Sequence, residues 1–140
     1  MDAQRLVDVL GDAIVAADAE GRITVWNPAA ERLFGFSQSE AMGRSLDLII
    51  PERFRDRHWH GYEEVMRSGV TRYGGAQVLR VPALRKDGRP LSIAFTVGLV
   101  LASDGRVESI VAVVRDDTER WNEERILRKR LAQAEGKPQQ

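Results

Sequence analysis

The two histidines are the side chains best suited to bind a metal ion or a cofactor. His58 and His60 differ by two positions, which separates them by about 200° around an α-helix. His58 shares its helix face with Phe54, Tyr62 and Met66, whereas His60 lies on the opposite face. A neutral imidazole on an apolar helix face is suited to axial ligation of iron. We therefore predict that His58, and not His60, points into a pocket.

The composition excludes several other kinds of site. There is no cysteine, so disulfides, thiolate zinc sites, iron–sulfur clusters and cysteine–flavin adducts are excluded. Neither a carboxylate pair nor a Ser/His/Asp set has supporting context, and we expect no enzymatic activity. Twenty-one Lys and Arg balance twenty-one Asp and Glu, which argues against nucleic acid as a partner. Short apolar runs and an N-terminus unlike a signal peptide predict a cytoplasmic protein without membrane contact.

Capping and turn residues divide the chain into two strands, several helices and three further strands. Asn27-Pro28 forms a helix start, because Asn accepts a backbone N–H at the N-cap and Pro loses no hydrogen bond at the first helical position. Asp87-Gly88 and Asp104-Gly105 lie between apolar runs and predict an antiparallel meander. Pro82 falls within the first of these strands, 77–84, so we expect that strand at a sheet edge or bulged. The order predicts an α+β fold with one antiparallel sheet.

Six short segments carry a resemblance to a known family. They follow one another in the family's order and at its spacing, and together they cover most of the chain. The combination resembles the PAS sensory domain. The segments are 18–23 (DAEGRI), 26–36 (WNPAAERLFGF), 43–44 (GR), 50–55 (IPERFR), 85–88 (RKDG) and 115–120 (RDDTER).

The resemblance implies a PAS fold with a five-stranded antiparallel sheet, flanking short helices and a pocket between sheet and helices. It divides the chain into an N-terminal amphipathic helix (1–12), a PAS core (13–117), a C-terminal signalling helix (118–135) and a flexible tail (136–140). Members of the family bind haem, flavin, small metabolites or nothing, so the fold alone does not identify a ligand. Flavin is disfavoured here, because the flavin-binding cysteine and an Asn/Gln pair on the last strands are both missing.

A closer resemblance to the haem-binding oxygen-sensor PAS domains raises an alternative for His58. These sensors place the proximal histidine seven residues after the proline of an Ile-Pro or Met-Pro step, and Pro51 plus seven is His58. Their distal Met or Arg has no counterpart, since Gln77 and Leu79 stand at those positions. Arg80 is one residue out of register and would point to the other face of the strand. His58 is therefore either a haem ligand or a structural histidine.

The predicted pocket residues lie on three elements: the long helix, the second strand and the first strand of the meander. We expect each of these elements to direct side chains at a ligand. Trp26 has an alternative role as a core residue whose indole N–H finds a carbonyl. The cofactor-binding candidates are His58, Tyr62, Gln77, Trp26, Phe54 and Met66.

The junction before the last helix is the predicted signal relay. In PAS proteins an Asp-x-Thr step anchors the exit helix to the sheet, and here it reads Asp116-Asp117-Thr118. We expect Asp117 to cap the helix by accepting backbone N–H bonds. The last helix has too few apolar residues for a long independent coiled coil.

The function implied is a sensory module that binds a small ligand or a partner and relays the change through its terminal helices. The expected partners are a second copy of the chain and an effector, such as a histidine kinase, a cyclase or a transcription regulator, in the same chain or a separate one. Two alternatives remain: a haem-based gas or redox sensor that uses His58, and a dimerisation module without a ligand. In a dimer, the apolar face of the opening helix, with Leu6, Val9 and Leu10, is the expected contact.

Overall fold

The computed structural model describes residues 2–71 and 76–136. The five strands form one antiparallel sheet in the order β2-β1-β5-β4-β3, with helices before, between and after the strands. The predicted α+β fold with a five-stranded sheet is thus confirmed. The elements are α1 (Ala3–Val9), β1 (Ala13–Asp18), β2 (Ile23–Trp26), α2 (Pro28–Phe34), α3 (Gln38–Ala41), a 3₁₀ turn (Leu46–Ile49), α4 (Glu52–Ser68), β3 (Leu79–Leu84), β4 (Pro90–Leu101), β5 (Val107–Asp116) and α5 (Thr118–Ala134).

Element boundaries differ from the predicted ones by a few residues. The opening helix, predicted over 1–12, spans Ala3–Val9, and the strand predicted to begin at Gln77 begins at Leu79. Pro82 lies in β3, which is an edge strand as expected, and there it removes no hydrogen bond from the interior of the sheet. Of the predicted tail, 137–140 lie outside the described residues.

Asn27 joins three elements through its side chain. Its Oδ1 accepts the N–H of Ala30, which caps α2, and also the N–H of Ile14 at the start of β1. Its Nδ2 donates to the carbonyls of Val7 in α1 and Asp12 in the connection to β1. The side chain is fully buried with its hydrogen bonds made, which is how a buried polar group avoids a desolvation cost.

The core lies between one face of the sheet and α2 and α3. We call this sheet face the inner face. Trp26 and Phe34 pack at its centre with their rings 5.3 Å apart, and both are essentially inaccessible to solvent. The other core residues are Ala13, Val15, Ile23, Ala29, Ala30, Ala41, Ile49, Ala83, Leu91, Ile93 and Val114.

The inner face becomes less buried away from α2. Leu91 and Ile93 of β4 are buried, whereas Phe95, Val97 and Leu99 further along the same face are half-buried. Helix α4 has seventeen residues, yet Tyr62 is the one that it buries. This half of the molecule is therefore covered less completely than the half beneath α2.

The two terminal helices are the most exposed elements. None of the described residues of α1 or α5 is buried. Leu127 and Leu131 of α5 are 62% and 61% exposed, and Val9 of α1 is 78% exposed. None of the helices in the described part of the chain is long and apolar enough to cross a membrane.

Candidate functional site

Helix α4 is fastened to the turn between β1 and β2 by two aromatic side chains. The indole of Trp59 lies against Gly21, where an added Cβ would come within 2.2 Å of the ring. Gly21 also has φ +79°, a conformation that favours glycine. The Tyr62 hydroxyl donates to the carbonyl of Asp18, at 2.5 Å. We refer to Trp59, Tyr62 and their partners on this turn as the α4 latch.

A further bond ties the latch to the 3₁₀ turn. The Trp59 Nε1–H donates to a carboxylate oxygen of Asp47 at 2.7 Å. Burial, with the charges of Asp18 and Glu20, raises the pKa of the Tyr62 phenol well above its ordinary value, so the phenol remains a donor at neutral pH. The two aromatic rings pack edge to face, with 5.2 Å between their centroids.

His58 sits beside the latch with one ring nitrogen unused. Its ring lies 4.6 Å from that of Trp59 and 5.7 Å from that of Tyr62. The Nδ1 atom is buried and finds no hydrogen-bond partner among the described residues. Burial lowers the pKa of the imidazole, and the charge of Asp47 opposes that shift to a lesser degree. His58 therefore presents a neutral imidazole with an unpaired buried nitrogen, which is costly unless a ligand or solvent atom meets it.

Two sets of half-buried apolar side chains could face a ligand together with this histidine. Phe54 and Met66 are half-buried on α4. Val97 and Leu99 of β4 and Ile110 of β5 are half-buried on the inner face. An apolar ligand or an apolar side chain of a partner would gain by covering such surfaces. We refer to these residues, with His58, as the α4 cleft.

Of the other predicted pocket residues, Trp26 and Gln77 lie outside the α4 cleft. Trp26 is in the core, where its indole N–H donates to the Phe36 carbonyl at 2.9 Å. Gln77 is exposed and precedes β3. Met66 also borders a cavity of about 250 Å³ beside the β4–β5 turn, and the ring of Phe54 lies under the Arg53 guanidinium at 4.7 Å. The structure thus brings His58 together with Tyr62.

Sequence reasoning missed the partners of the latch. The Asp-x-x-Gly sequence at 18–21 indicates a turn that ends in glycine. Nothing near it in the sequence indicates that Trp59 packs on that glycine. Asp47 likewise gave no signal as the acceptor of the Trp59 indole. Among the described residues no three His, Cys, Asp or Glu side chains are grouped to hold a metal ion.

The relay segment, Asp116-Asp117-Thr118, is bonded near the start of β4, which lies between β5 and β3 in the sheet. The Asp117 N–H donates to the Ser92 carbonyl at 2.7 Å, and the Ser92 N–H donates to the Thr118 hydroxyl at 3.0 Å. These two bonds fix the first residues of α5 to β4. Because Ser92 neighbours Leu91 and Ile93 of the core, the exit helix is joined directly to the strand that lines both the core and the α4 cleft.

Asp117 does not cap α5, contrary to our prediction. Its carboxylate makes no bond to a backbone N–H and instead lies 3.5 Å from the Arg80 guanidinium of β3 and 3.7 Å from that of Arg120 in α5. The neighbouring Asp116 accepts the N–H of Thr118 at 2.9 Å. A cation from a distant strand competes with the helix terminus for the Asp117 carboxylate. Arg80, which is out of register for the predicted pocket, therefore binds the relay segment through the Asp117 carboxylate.

The comparisons with known proteins agree with this architecture. A sequence model of the PAS fold matches residues 2–116. The sensor protein FixL of Bradyrhizobium diazoefficiens is 29% identical over 114 residues, which are 81% of this chain and 22% of FixL. The oxygen sensor protein DosP of Escherichia coli is 28% identical over 109 residues, which are 78% of this chain and 13% of DosP.

Solved structures show the same fold. A PAS domain from Colwellia psychrerythraea superposes with a TM-score of 0.71 at 22% identity, over 82% of this chain and 93% of that one. The chain therefore spans less than a quarter of the two signalling relatives and nearly all of an isolated domain. With its strand order, its flanking helices and its matched segments in agreement, the chain belongs to the PAS family.

Proposed function

We propose that this chain is a sensory module without catalytic activity, which relays a change in the α4 cleft to an effector through α5. The observation that carries the proposal is the pair of hydrogen bonds between Ser92 and the Asp117-Thr118 step. They connect the exit helix to β4, the same strand that supplies Val97 and Leu99 to the cleft. A ligand or partner that changes the packing of β4 would thereby change the start of α5.

The loose attachment of α4 supports an adaptable site. The latch holds α4 by one hydrogen bond to the β1–β2 turn, one to the Asp47 carboxylate and the stacking of Trp59 on Gly21, and Arg55 adds hydrogen bonds to the carbonyls of Ile50 and Asp47. Each hydrogen bond of this kind contributes only about 1 kcal/mol to stability. A ligand that prefers one position of α4 needs only a small difference in affinity to shift such an equilibrium.

Exposed apolar residues support a homodimer and an effector as partners. Ile126, Leu127 and Leu131 on α5 face solvent, and so do Leu6 and Val9 on α1. A lone seventeen-residue helix without buried residues is marginally stable in water, so pairing with another helix would stabilise it. In such a dimer, Leu6→Glu or Val9→Glu lowers the mass measured by light scattering at a given concentration. An unchanged dimer mass in both variants would exclude α1 from the interface.

The relay is tested by filling the cleft. Val97→Phe adds volume to the inner face of β4, while Val100→Phe makes the same change three residues later on the opposite face, where the side chain is 44% exposed. Hydrogen exchange of Ser92 and of the first turn of α5 is then measured in both variants. We expect Val97→Phe to change these exchange rates severalfold and Val100→Phe to leave them unchanged.

A second substitution guards against a folding defect. Val97→Ala reduces the same side chain, and it should alter exchange at Ser92 and α5 without the overpacking that Phe introduces. Equal exchange in the wild type and both Val97 variants would overturn the relay proposal, and so would an equal effect of Val100→Phe.

A second candidate function, haem-based sensing, is favoured by the unpaired Nδ1 of His58. His58 would hold the iron, and haem when bound would supply a centre for diatomic gases. The similarity to a protein named as an oxygen sensor supports this candidate.

The haem candidate is tested by an absorption spectrum of protein produced with haem precursor. His58→Ala is compared with His60→Ala, because His60 is exposed two residues away on the same helix. A Soret band lost only in His58→Ala supports haem ligation. Absence of the band in all three proteins, or its persistence in His58→Ala, rejects it.

A further inference from the structure

A cavity of about 280 Å³ lies at the end of the sheet next to the relay segment. Its walls come from the connection between α1 and β1, from α2, from the β3–β4 turn and from the end of β5. It is separate from the α4 cleft and contains none of the residues predicted to bind a cofactor. We call it the arginine cavity, after Arg32, Arg85 and Arg115 in its lining.

The charges in this cavity are incompletely paired. Arg115 binds the carboxylate of Asp12 at 3.0 Å, and Asp116 is occupied by the N–H of Thr118. Arg32 and Arg85 have no carboxylate within ion-pair distance in the part of the chain that the structure describes. Asp87 is near enough to Arg85 for their charges to interact, but its carboxylate pairs with Arg89, and a bound anion would stabilise the Arg32 and Arg85 guanidinium groups.

The walls are fixed before any ligand arrives. The Lys86 N–H donates to the Phe34 carbonyl at 2.8 Å, and its ammonium group pairs with Glu40 at 2.5 Å. These contacts hold the β3–β4 turn, with Arg85, against the end of α2 that carries Arg32. On the opposite wall, Asn27 binds the Asp12 carbonyl. A preformed site loses little conformational entropy on binding.

An apolar floor lies beside the charged groups. Ala29 and Leu33 of α2 and Val114 of β5 contribute to the lining. Guanidinium groups bind carboxylate and phosphate through paired hydrogen bonds. The three arginines and two aspartates leave one net positive charge, which suits a small anion better than a polyanion. The cavity volume lies just below the usual range of about 300–1,000 Å³ for ligand pockets, which suits a small ligand.

We propose that the arginine cavity binds a compact organic oxyanion, a phosphate or carboxylate group on a small apolar body, between Arg32 and Arg85. Such a ligand would contact both the entry to β1 and the end of β5, next to the residues that lead into α5. This site goes beyond the sensory relay proposed above and does not depend on the α4 cleft.

The test titrates the protein with phenyl phosphate and with benzoate while amide chemical shifts are recorded. We expect saturable shifts at residues 11–13, 29–33, 85 and 114–116 with at least one of the two anions, and the tighter binder identifies the preferred group. Arg32→Gln and Arg85→Gln should each weaken binding roughly tenfold, the usual effect of losing a hydrogen bond to a charged group. Circular dichroism checks that each variant is folded.

Arg106→Gln provides the matched control. It removes the same charge from an exposed arginine at the β4–β5 turn, which pairs with Asp104 outside the cavity. The control should leave affinity within about twofold, since a distant surface charge is screened by salt. An equal loss in Arg106→Gln means non-specific attraction and overturns the proposal. Shifts confined to α4, or no saturable shift with either anion at millimolar concentration, overturn it as well.

Discussion

Two helices of very different length flank the sheet, and the shorter one buries more apolar side chains. Helix α2 has seven residues and buries Ala29, Ala30 and Phe34. Helix α4 has seventeen residues and buries Tyr62. Buried apolar surface, and not helix length, therefore decides how firmly each helix is attached. The comparison assigns the stability of the domain to the α2 side and its adaptability to the α4 side.

The kinds of contact differ as well. On the α2 side, aromatic and aliphatic side chains interlock, and the buried amide of Asn27 makes its hydrogen bonds within the same core. On the α4 side, the latch combines one stacked indole with single hydrogen bonds to Asp18 and Asp47. Close packing resists displacement cooperatively, whereas isolated hydrogen bonds can break one at a time.

The largest expected effect comes from equal truncations on the two sides. Phe34→Ala removes a fully buried ring and should cost about 3–5 kcal/mol in free energy of unfolding. Phe54→Ala removes a half-buried ring from α4 and should cost much less, because its site is already open to solvent. Urea unfolding followed by circular dichroism measures both. Equal losses would contradict the division into a firm and an adaptable side.

Sequence reasoning was strongest where the chemistry is local. The Asn27 cap, the Ser37–Glu40 capping box and the Asp-Gly turns depend on neighbours within a few residues, and they form as such patterns indicate. The prediction that Asp117 caps α5 was wrong because its carboxylate pairs with two arginines, Arg120 in the same helix and Arg80 on a distant strand.

The site was less predictable than the fold for the same reason. His58 and Tyr62 share a helix face, so their proximity follows from periodicity. Gln77 was assigned to the pocket by counting along a predicted strand, but β3 begins two residues later. The packing of Trp59 on Gly21 depends on the angle at which α4 meets the β1–β2 turn, and no pattern in the sequence encodes that angle.

An intermediate effect is expected at the latch, where two glycines with the same φ differ in their surroundings. Gly21 and Gly43 both have φ +79°, but a Cβ at Gly43 meets nothing within 4 Å. Gly43→Ala should therefore cost only backbone strain, about 1–2 kcal/mol. Gly21→Ala should lower the free energy of unfolding by about 1–3 kcal/mol more than Gly43→Ala does, because it also displaces Trp59.

Hydrogen exchange locates the extra loss. In Gly21→Ala, the amides of α4 should exchange faster while those of α2 change less. In a Trp59→Ala background, Gly21→Ala should cost no more free energy of unfolding than Gly43→Ala does, since the ring that a Cβ would displace is gone. Identical stabilities of the two single variants would show that Trp59 does not hold α4 at this turn.

The smallest expected effect concerns a polar contact on the firm side. Lys86, with backbone and side-chain bonds from Ser37, lowers the pKa of Glu40 from 4.5 to about 2. A lowered carboxyl pKa stabilises the folded state above pH 4.5, and that contribution disappears as the pH falls towards 2. Glu40→Gln should therefore be slightly less stable than the wild type near neutral pH.

A pH series of urea midpoints checks this. The difference in urea midpoint between the wild type and Glu40→Gln should decrease as the pH falls from 4.5 to 2. In a Lys86→Met background this decrease should occur at higher pH. The effect stays small because the pair is exposed and screened by solvent. A large difference in urea midpoint would mean that polar contacts, and not packing, stabilise the α2 side.

The strand order also governs how the domain forms during synthesis. The central pairing joins β1 to β5, and Ala13 meets Val114, which lies 101 residues later in the chain. At about 5–20 residues per second, a ribosome would complete that partner roughly 5–20 s after β1 emerges. Until then the apolar residues of β1 lack one neighbouring strand, and closing so long a loop slows folding. A nascent chain of this protein therefore leaves the apolar strand β1 without its central partner until β5 has been synthesised.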